Sequence, residues 1–165
     1  MLYAILVAVL IGLDQWVKYL VRVNLSLYGS APLLPHLVEL TYVQNTGAAF
    51  SLFSEHTWIL AIVSAVVAAG ISVLIFRRVV KHPFGLVSLS LVLAGAVGNL
   101  IDRVFLGYVT DMFHLLFIQF AVFNVADICV VTGGIATCIY LMFFFEKWEQ
   151  GAGKAGSDGT ADADG

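Results

Sequence analysis

The chain has 165 residues, of which 61% are hydrophobic and 12% charged, with a formal net charge of −3. A mean hydropathy of +0.97 is too high for an ordinary soluble domain and points to a membrane protein. The negative balance owes much to Glu149, Asp158, Asp162 and Asp164 near the C-terminus and says nothing about nucleic acid, which is not expected as a partner.

A membrane-spanning helix needs about 20 mainly apolar residues, and the stretches that qualify are Leu2–Val23, Trp58–Phe76, Phe84–Leu100 and Val125–Phe145. That leaves room for one domain, residues 1–150, and a tail over 151–165. The first stretch lacks a basic n-region and is interrupted by Asp14, Gln15 and Lys18, so it reads as a retained helix and not as a cleaved signal peptide.

Between the first and second stretches, Val38-Glu39-Leu40-Thr41-Tyr42-Val43-Gln44 alternates roughly and is rich in β-branched and aromatic residues, which predicts a strand ahead of Asn45-Thr46-Gly47. Arg77, Arg78 and Lys81 cluster between the second and third stretches and place that loop in the cytoplasm by the positive-inside rule. An even number of spans then puts both termini on the same side, where Lys147 and Lys154 agree with it against a weaker pull from Arg22 and Arg103. Asn24–Thr57 and Asp102–Asn124 face outward, and within the latter Phe113–Phe123 is apolar but too short to span, as suits an interfacial or re-entrant piece.

The expected fold is therefore an all-α membrane protein: a four-transmembrane-helix bundle with a small extracytoplasmic β-sheet and a short interfacial segment between helices 3 and 4. No internal repeat supports a transporter. Cys129 and Cys138 lie about 13 Å apart along one helix, beyond disulfide reach, and are expected to be buried free thiols. The Gly151–Gly165 tail has too few apolar residues to offset the entropy of ordering it and reads as disordered.

Acidic residues near hydrocarbon are costly and are functional candidates by default. With this topology, Asp14, Asp102, Asp111 and Asp127 converge on the outer leaflet. Two carboxylates held close together share a proton, so that one can act as base and the other as acid, the logic of aspartic proteases. His36, His56, His82 and His114 form no His-Glu-x-x-His zinc pattern, and no Gly-x-Ser-x-Gly elbow is present.

Five motifs in order resemble those of the bacterial lipoprotein signal peptidases (signal peptidase II). They are Asp14-Gln15-Trp16-Val17-Lys18, Asn45-Thr46-Gly47-Ala48-Ala49-Phe50, Gly98-Asn99-Leu100-Ile101-Asp102-Arg103, Val109-Thr110-Asp111-Met112 and Phe123-Asn124-Val125-Ala126-Asp127. The resemblance implies a catalytic dyad of Asp111 and Asp127, and no cofactor or metal. The substrate it implies is a diacylglyceryl-modified prolipoprotein, cut just before the lipidated cysteine. It further implies sensitivity to globomycin and a monomer in contact with lipid in the bacterial inner membrane. The tail departs from the family pattern in ending acidic, and the stretch joining Asp111 to Asp127 is compact.

The remaining motif residues are expected to support the site. Asp14 and Lys18 form an i,i+4 pair, while Asn45 and Gly47 supply turn chemistry close to substrate backbone. Asn99, Asp102 and Arg103 are expected to form a buried polar network. Asn124 suits the N-cap of the fourth helix, with Ala126 beside Asp127 in its first turn, where the positive helix end favours a carboxylate. Two rivals stand beside this reading: a small ion or proton pathway through Asp14, Asp102 and Asp127, and a non-catalytic lipoprotein-binding membrane scaffold.

Overall fold

The computed structural model describes residues 1–47 and 57–145. Ala48, Ala49 and Phe50 of the second motif, His56 and the tail with Lys147 and Lys154 lie outside the described residues. In chain order the elements are α1 (Leu2–Asn24), β1 (Ser30–Leu34), β2 (Val38–Asn45), α2 (Thr57–Phe76), α3 (Pro83–Leu106), β3 (Val109–Leu115) and α4 (Val125–Phe143). All four helices are long and apolar enough to cross a membrane.

The bundle is organised around α3, which touches each of the other three helices. Ten of its residues are buried, against two in α2. Lipid tails are as apolar as leucine, so helices in a bilayer associate by close packing of small residues and by polar contacts. Both occur here. Along the α3–α4 seam, a Cβ on Gly95 would collide with the Ala126 carbonyl and with Val130, and one on Gly133 would stand 2.7 Å from Leu91 Cβ and 2.8 Å from the Ser88 carbonyl oxygen. Large apolar side chains point outward instead, among them Ile62, Val66, Val131, Ile135 and Met142. Such a surface is the normal lipid-facing exterior of a spanning bundle.

Helix α3 begins with His82 as N-cap, its Nδ1 accepting the Phe84 N–H at 3.2 Å, and Pro83 in the first helical position. It ends where Gly107 adopts φ 79°, a left-handed conformation open to glycine. The helix thus runs past the expected end at Leu100, and Asp102 and Arg103 belong to its last turns. Their charges look like a helix exit in the sequence, but Asp102 finds its partners Gln15 and Lys18 on α1, and Arg103 lies near Ser64 of α2.

The three strands form one antiparallel sheet in the order β1-β2-β3. It docks on the C-terminal half of α1 through a cluster of Val21, Tyr42 and Met112, flanked by Val17, Leu25, Leu40 and Phe113. The expected interfacial segment is corrected at its start, because Phe113, His114 and Leu115 belong to β3 and pair with Leu40, Glu39 and Val38. Phe123 then returns alongside Phe113, exchanging backbone hydrogen bonds of 2.8 and 3.2 Å with it. The cysteine expectation is corrected in part: both thiols are free, but only Cys129 is buried, and Cys138 is exposed on α4.

Gly133→Ala should lower the thermal unfolding temperature in detergent, an overpacking cost of about 1–3 kcal/mol, whereas Gly134→Ala, with nothing within 4 Å of its added Cβ, should leave it unchanged. Equal melting of the two variants would refute the close α3–α4 seam.

Candidate active site

A buried charge cluster lies where α1 and α3 meet the start of α4. The Lys18 ammonium, 0% exposed, sits 2.9 Å from Asp14 Oδ2 and 3.4 Å from Asp102 Oδ2, and donates to Asn99 Oδ1 at 2.9 Å. Helical spacing explains the first contact, since residues four apart share a face. Asp102 comes from another helix, and it makes the expected pair a triad of one cation between two carboxylates.

The second oxygen of each acid is also occupied. Asp14 Oδ1 accepts the Ala126 N–H at 2.8 Å, and Asp102 Oδ1 accepts Gln15 Nε2 at 3.0 Å. Asp102 Oδ2 additionally receives the Thr110 N–H at 2.9 Å. Asp14 therefore ties α1 to the first turn of α4, and the contact requires small neighbours: a Cβ on Gly98 would lie 2.7 Å from Asp14 Oδ2 and 3.2 Å from Ala126 Cβ.

Asn99 relays this cluster outward. An ammonium only donates, so Lys18 compels the Asn99 carbonyl oxygen to face it, and the amide NH₂ must point the other way. There Nδ2 donates to Asp127 Oδ1 at 2.7 Å. Asn124 is the N-cap of α4 in a reciprocal capping box, its Oδ1 accepting the Asp127 N–H at 2.9 Å while Asp127 Oδ2 accepts the Asn124 N–H at 3.2 Å. Its Nδ2 donates to Asn99 Oδ1 at 3.1 Å and to Asp111 Oδ1 at 2.7 Å. One asparagine thus touches both acids.

Asp111 stands on β3, 2% exposed. Its Oδ2 accepts Asn45 Nδ2 at 2.8 Å, and Asn45 is itself oriented by the Gly47 N–H at 2.9 Å in a side-chain turn. Burial, and then the nearby Asp127 carboxylate, push the Asp111 carboxyl up from 3.8 to about 7, against the pull of the amide donors Asn45 and Asn124. Asp111 therefore keeps a proton near neutrality. Asp127 is only half-buried.

Asp111 and Asp127 line one cavity of about 460 Å³, together with Asn45, Gly47, Asn99 and Arg103. The rest of its wall is largely apolar, from Phe120, Val122, Phe123, Ile128, Val130 and Val131. Arg103 has only long contacts of 3.5 Å to Ser64 Oγ and the Asn99 carbonyl, and its buried Nε has no hydrogen-bond partner among the described residues. No three His, Cys, Asp or Glu side chains among the described residues are grouped to hold a metal ion.

The family described as signal peptidase (SPase) II matches residues 6–144 of this chain. The chain belongs to the signal peptidase II family. Similar relatives include the lipoprotein signal peptidase of Enterococcus faecalis, 42% identical over 158 residues that cover 96% of this chain and 95% of that protein. The lipoprotein signal peptidase of Clostridioides difficile is 44% identical over 148 residues, 89% of this chain and 99% of that protein. A solved structure described as a bacterial membrane enzyme superposes with a TM-score of 0.80 at 27% identity, covering 85% of this chain and 87% of that one. A second structure of the same description gives 0.78, also at 27% identity, over 87% and 94%. This signal peptidase II is accordingly a peptidase and an integral membrane protein.

The structure brings all the sequence-selected residues to one end of the bundle. Two contributors, Gln15 and Thr110, were not singled out. Gln15 donates to Asp102, and Thr110 donates its N–H to Asp102 while its hydroxyl accepts from Arg22; the end of the expected interfacial segment, Phe120–Phe123, walls the cavity. Arg22 could have been found from spacing, since Asp14, Lys18 and Arg22 recur at intervals of four on one face of α1.

Lys18→Met should destabilise the detergent-solubilised protein by about 3–5 kcal/mol, because two buried carboxylates lose their cation. Thermal unfolding would register this as a large fall in melting temperature; unchanged melting would show that the triad is not what holds α1 to α3.

Proposed function

We propose that this signal peptidase II is an aspartyl endopeptidase that removes the signal peptide from diacylglyceryl-modified prolipoproteins, cutting before the lipid-bearing cysteine. The observation that carries the reading is the pair Asp111 and Asp127, bridged by Asn124 on the wall of a largely apolar cavity. The relatives named as lipoprotein signal peptidases support the substrate class.

Asp111, holding its proton near neutral pH, is the acid; Asp127, fixed by Asn99 and by the α4 capping box, is the base. Asp127 takes a proton from water as the water oxygen attacks the scissile carbonyl, while Asp111 delivers its proton to the carbonyl oxygen. Collapse of the tetrahedral intermediate returns that proton to Asp111, and the proton on Asp127 goes to the departing amine. Both carboxyls end as they began.

The apolar wall suits acyl chains, whose burial contributes about 0.8 kcal/mol per CH₂. Arg77, Arg78 and Lys81 lie in the α2–α3 connection, at the end of the bundle opposite the sheet. The positive-inside rule then puts both termini in the cytoplasm and the cavity near the outer leaflet of the bacterial inner membrane. An ion pathway is disfavoured because Asp14, Lys18 and Asp102 are enclosed and mutually satisfied.

Asp111→Asn and Asp127→Asn should each lower cleavage of a diacylglyceryl prolipoprotein by at least about 100-fold, read by gel shift on folded protein; cleavage at the parent rate by either variant would unseat the dyad. The rate should also fall as pH rises through about 7, where Asp111 loses its proton. The same shift makes the folded state hold a proton that the unfolded chain releases near 3.8, so this group's contribution to stability weakens between those values as pH rises. A rate that climbs steadily through pH 8 would reverse the assignment of acid and base.

A further inference from the structure

Asp111 is the last residue of a three-pair run, Val109–Asp111 against Val43–Asn45, and the register of the strand shifts immediately beyond it. Strand β3 starts only after the left-handed turn at Gly107, and its pairing with β2 is interrupted between Leu40 and Val43, next to the Val43–Asp111 pair. In a strand, a slip of one residue turns every side chain to the opposite face. Such a slip would turn Asp111 away from the cavity.

Two helices hold the residue beside it. Thr110 is 0% exposed; its N–H donates to Asp102 Oδ2 on α3 at 2.9 Å, and its Oγ1 accepts Arg22 Nη1 from the last turn of α1 at 3.1 Å. Arg22 forms no ion pair among the described residues, so its hydrogen bond to Thr110 goes to a neutral hydroxyl. A charged donor strengthens that bond relative to a neutral one. Since successive strand side chains point to opposite faces, Thr110 can be gripped from the α1 side while Asp111 faces the cavity.

We propose that Arg22 and Thr110 form a latch that positions Asp111, fixing the register of β3 against α1 and hence the place of the carboxyl relative to Asp127. This rests on Asp111 being one of the reacting pair. Both latch residues are positioning residues: neither lines the cavity.

The test uses full-length protein in detergent with a diacylglyceryl prolipoprotein, measuring kcat and KM separately across pH. Thr110→Val removes the hydroxyl at constant shape and leaves the backbone bond to Asp102. It should lower kcat by about 10- to 100-fold, the loss that a misplacement on the order of 1 Å brings, with KM little changed and the alkaline limb of the pH profile displaced. Thr110→Ser should restore kcat. Arg22→Met should reproduce Thr110→Val, and the double variant should be no worse than either single, as expected of two ends of one interaction. Wild-type kcat and pH profile in Arg22→Met and Thr110→Val, or losses that multiply in the double variant, would overturn the latch. Asp111→Asn assayed alongside separates the two ideas: if it cleaves at the parent rate the dyad fails, and if it is inactive while the latch variants are fully active, only the latch fails. Should Thr110→Val not fold, Arg22→Met and Thr110→Ser carry the same comparison.

Discussion

The structure depends on one ammonium group that water cannot reach. Lys18 is stable in its position only because Asp14, Asp102 and Asn99 surround it, and each of those groups is committed elsewhere as a result. Asp14 reaches the first turn of α4, Asp102 reaches β3, and Asn99 is turned so that its amide meets Asp127. A buried charge that needs several partners at once dictates where three helices and a strand must stand. The order at the cavity is inherited from that requirement.

The two halves of the cavity are held by different means. Asp127 sits in the first turn of a helix, where backbone geometry and a capping box fix it locally. Asp111 sits on a strand that arrives after a glycine turn, and its place is set by contacts from Asn45, Asn124 and the residue before it. The asymmetry matches their environments, Asp127 half-buried and Asp111 2% exposed, and the burial of Asp111 raises its proton affinity without any difference in residue type.

Much of this was legible in the sequence. The four helices follow from apolar runs of sufficient length, and β2 from its β-branched alternation. The resemblance gathered the polar residues of the cavity into one group before their geometry was known. What stayed hidden were features decided by distant partners. The end of α3 was set too early because its apolar run stops at Leu100, and the cation that lets Asp102 stay buried in the helix, Lys18, lies more than eighty residues earlier. The last three residues of the third strand were read as part of an interfacial piece because Phe113–Phe123 is largely apolar; their strand character comes from β2, which supplies the ladder. Cys138 resembles Cys129 in sequence, and only the facing of α4 buries one and exposes the other. Nothing local signals that Thr110 is held from two helices.

The capping box of α4 has a consequence beyond geometry. In most enzymes the reacting groups are a structural burden, and replacing them tends to firm up the fold at the expense of turnover. Here the carboxylate proposed as base also closes the end of its own helix, and its neighbour Asn124 serves the cap and both acids. Selection for a well-formed helix and selection for turnover therefore act on the same atoms in the same direction, and the usual conflict between durability and activity is absent at that residue.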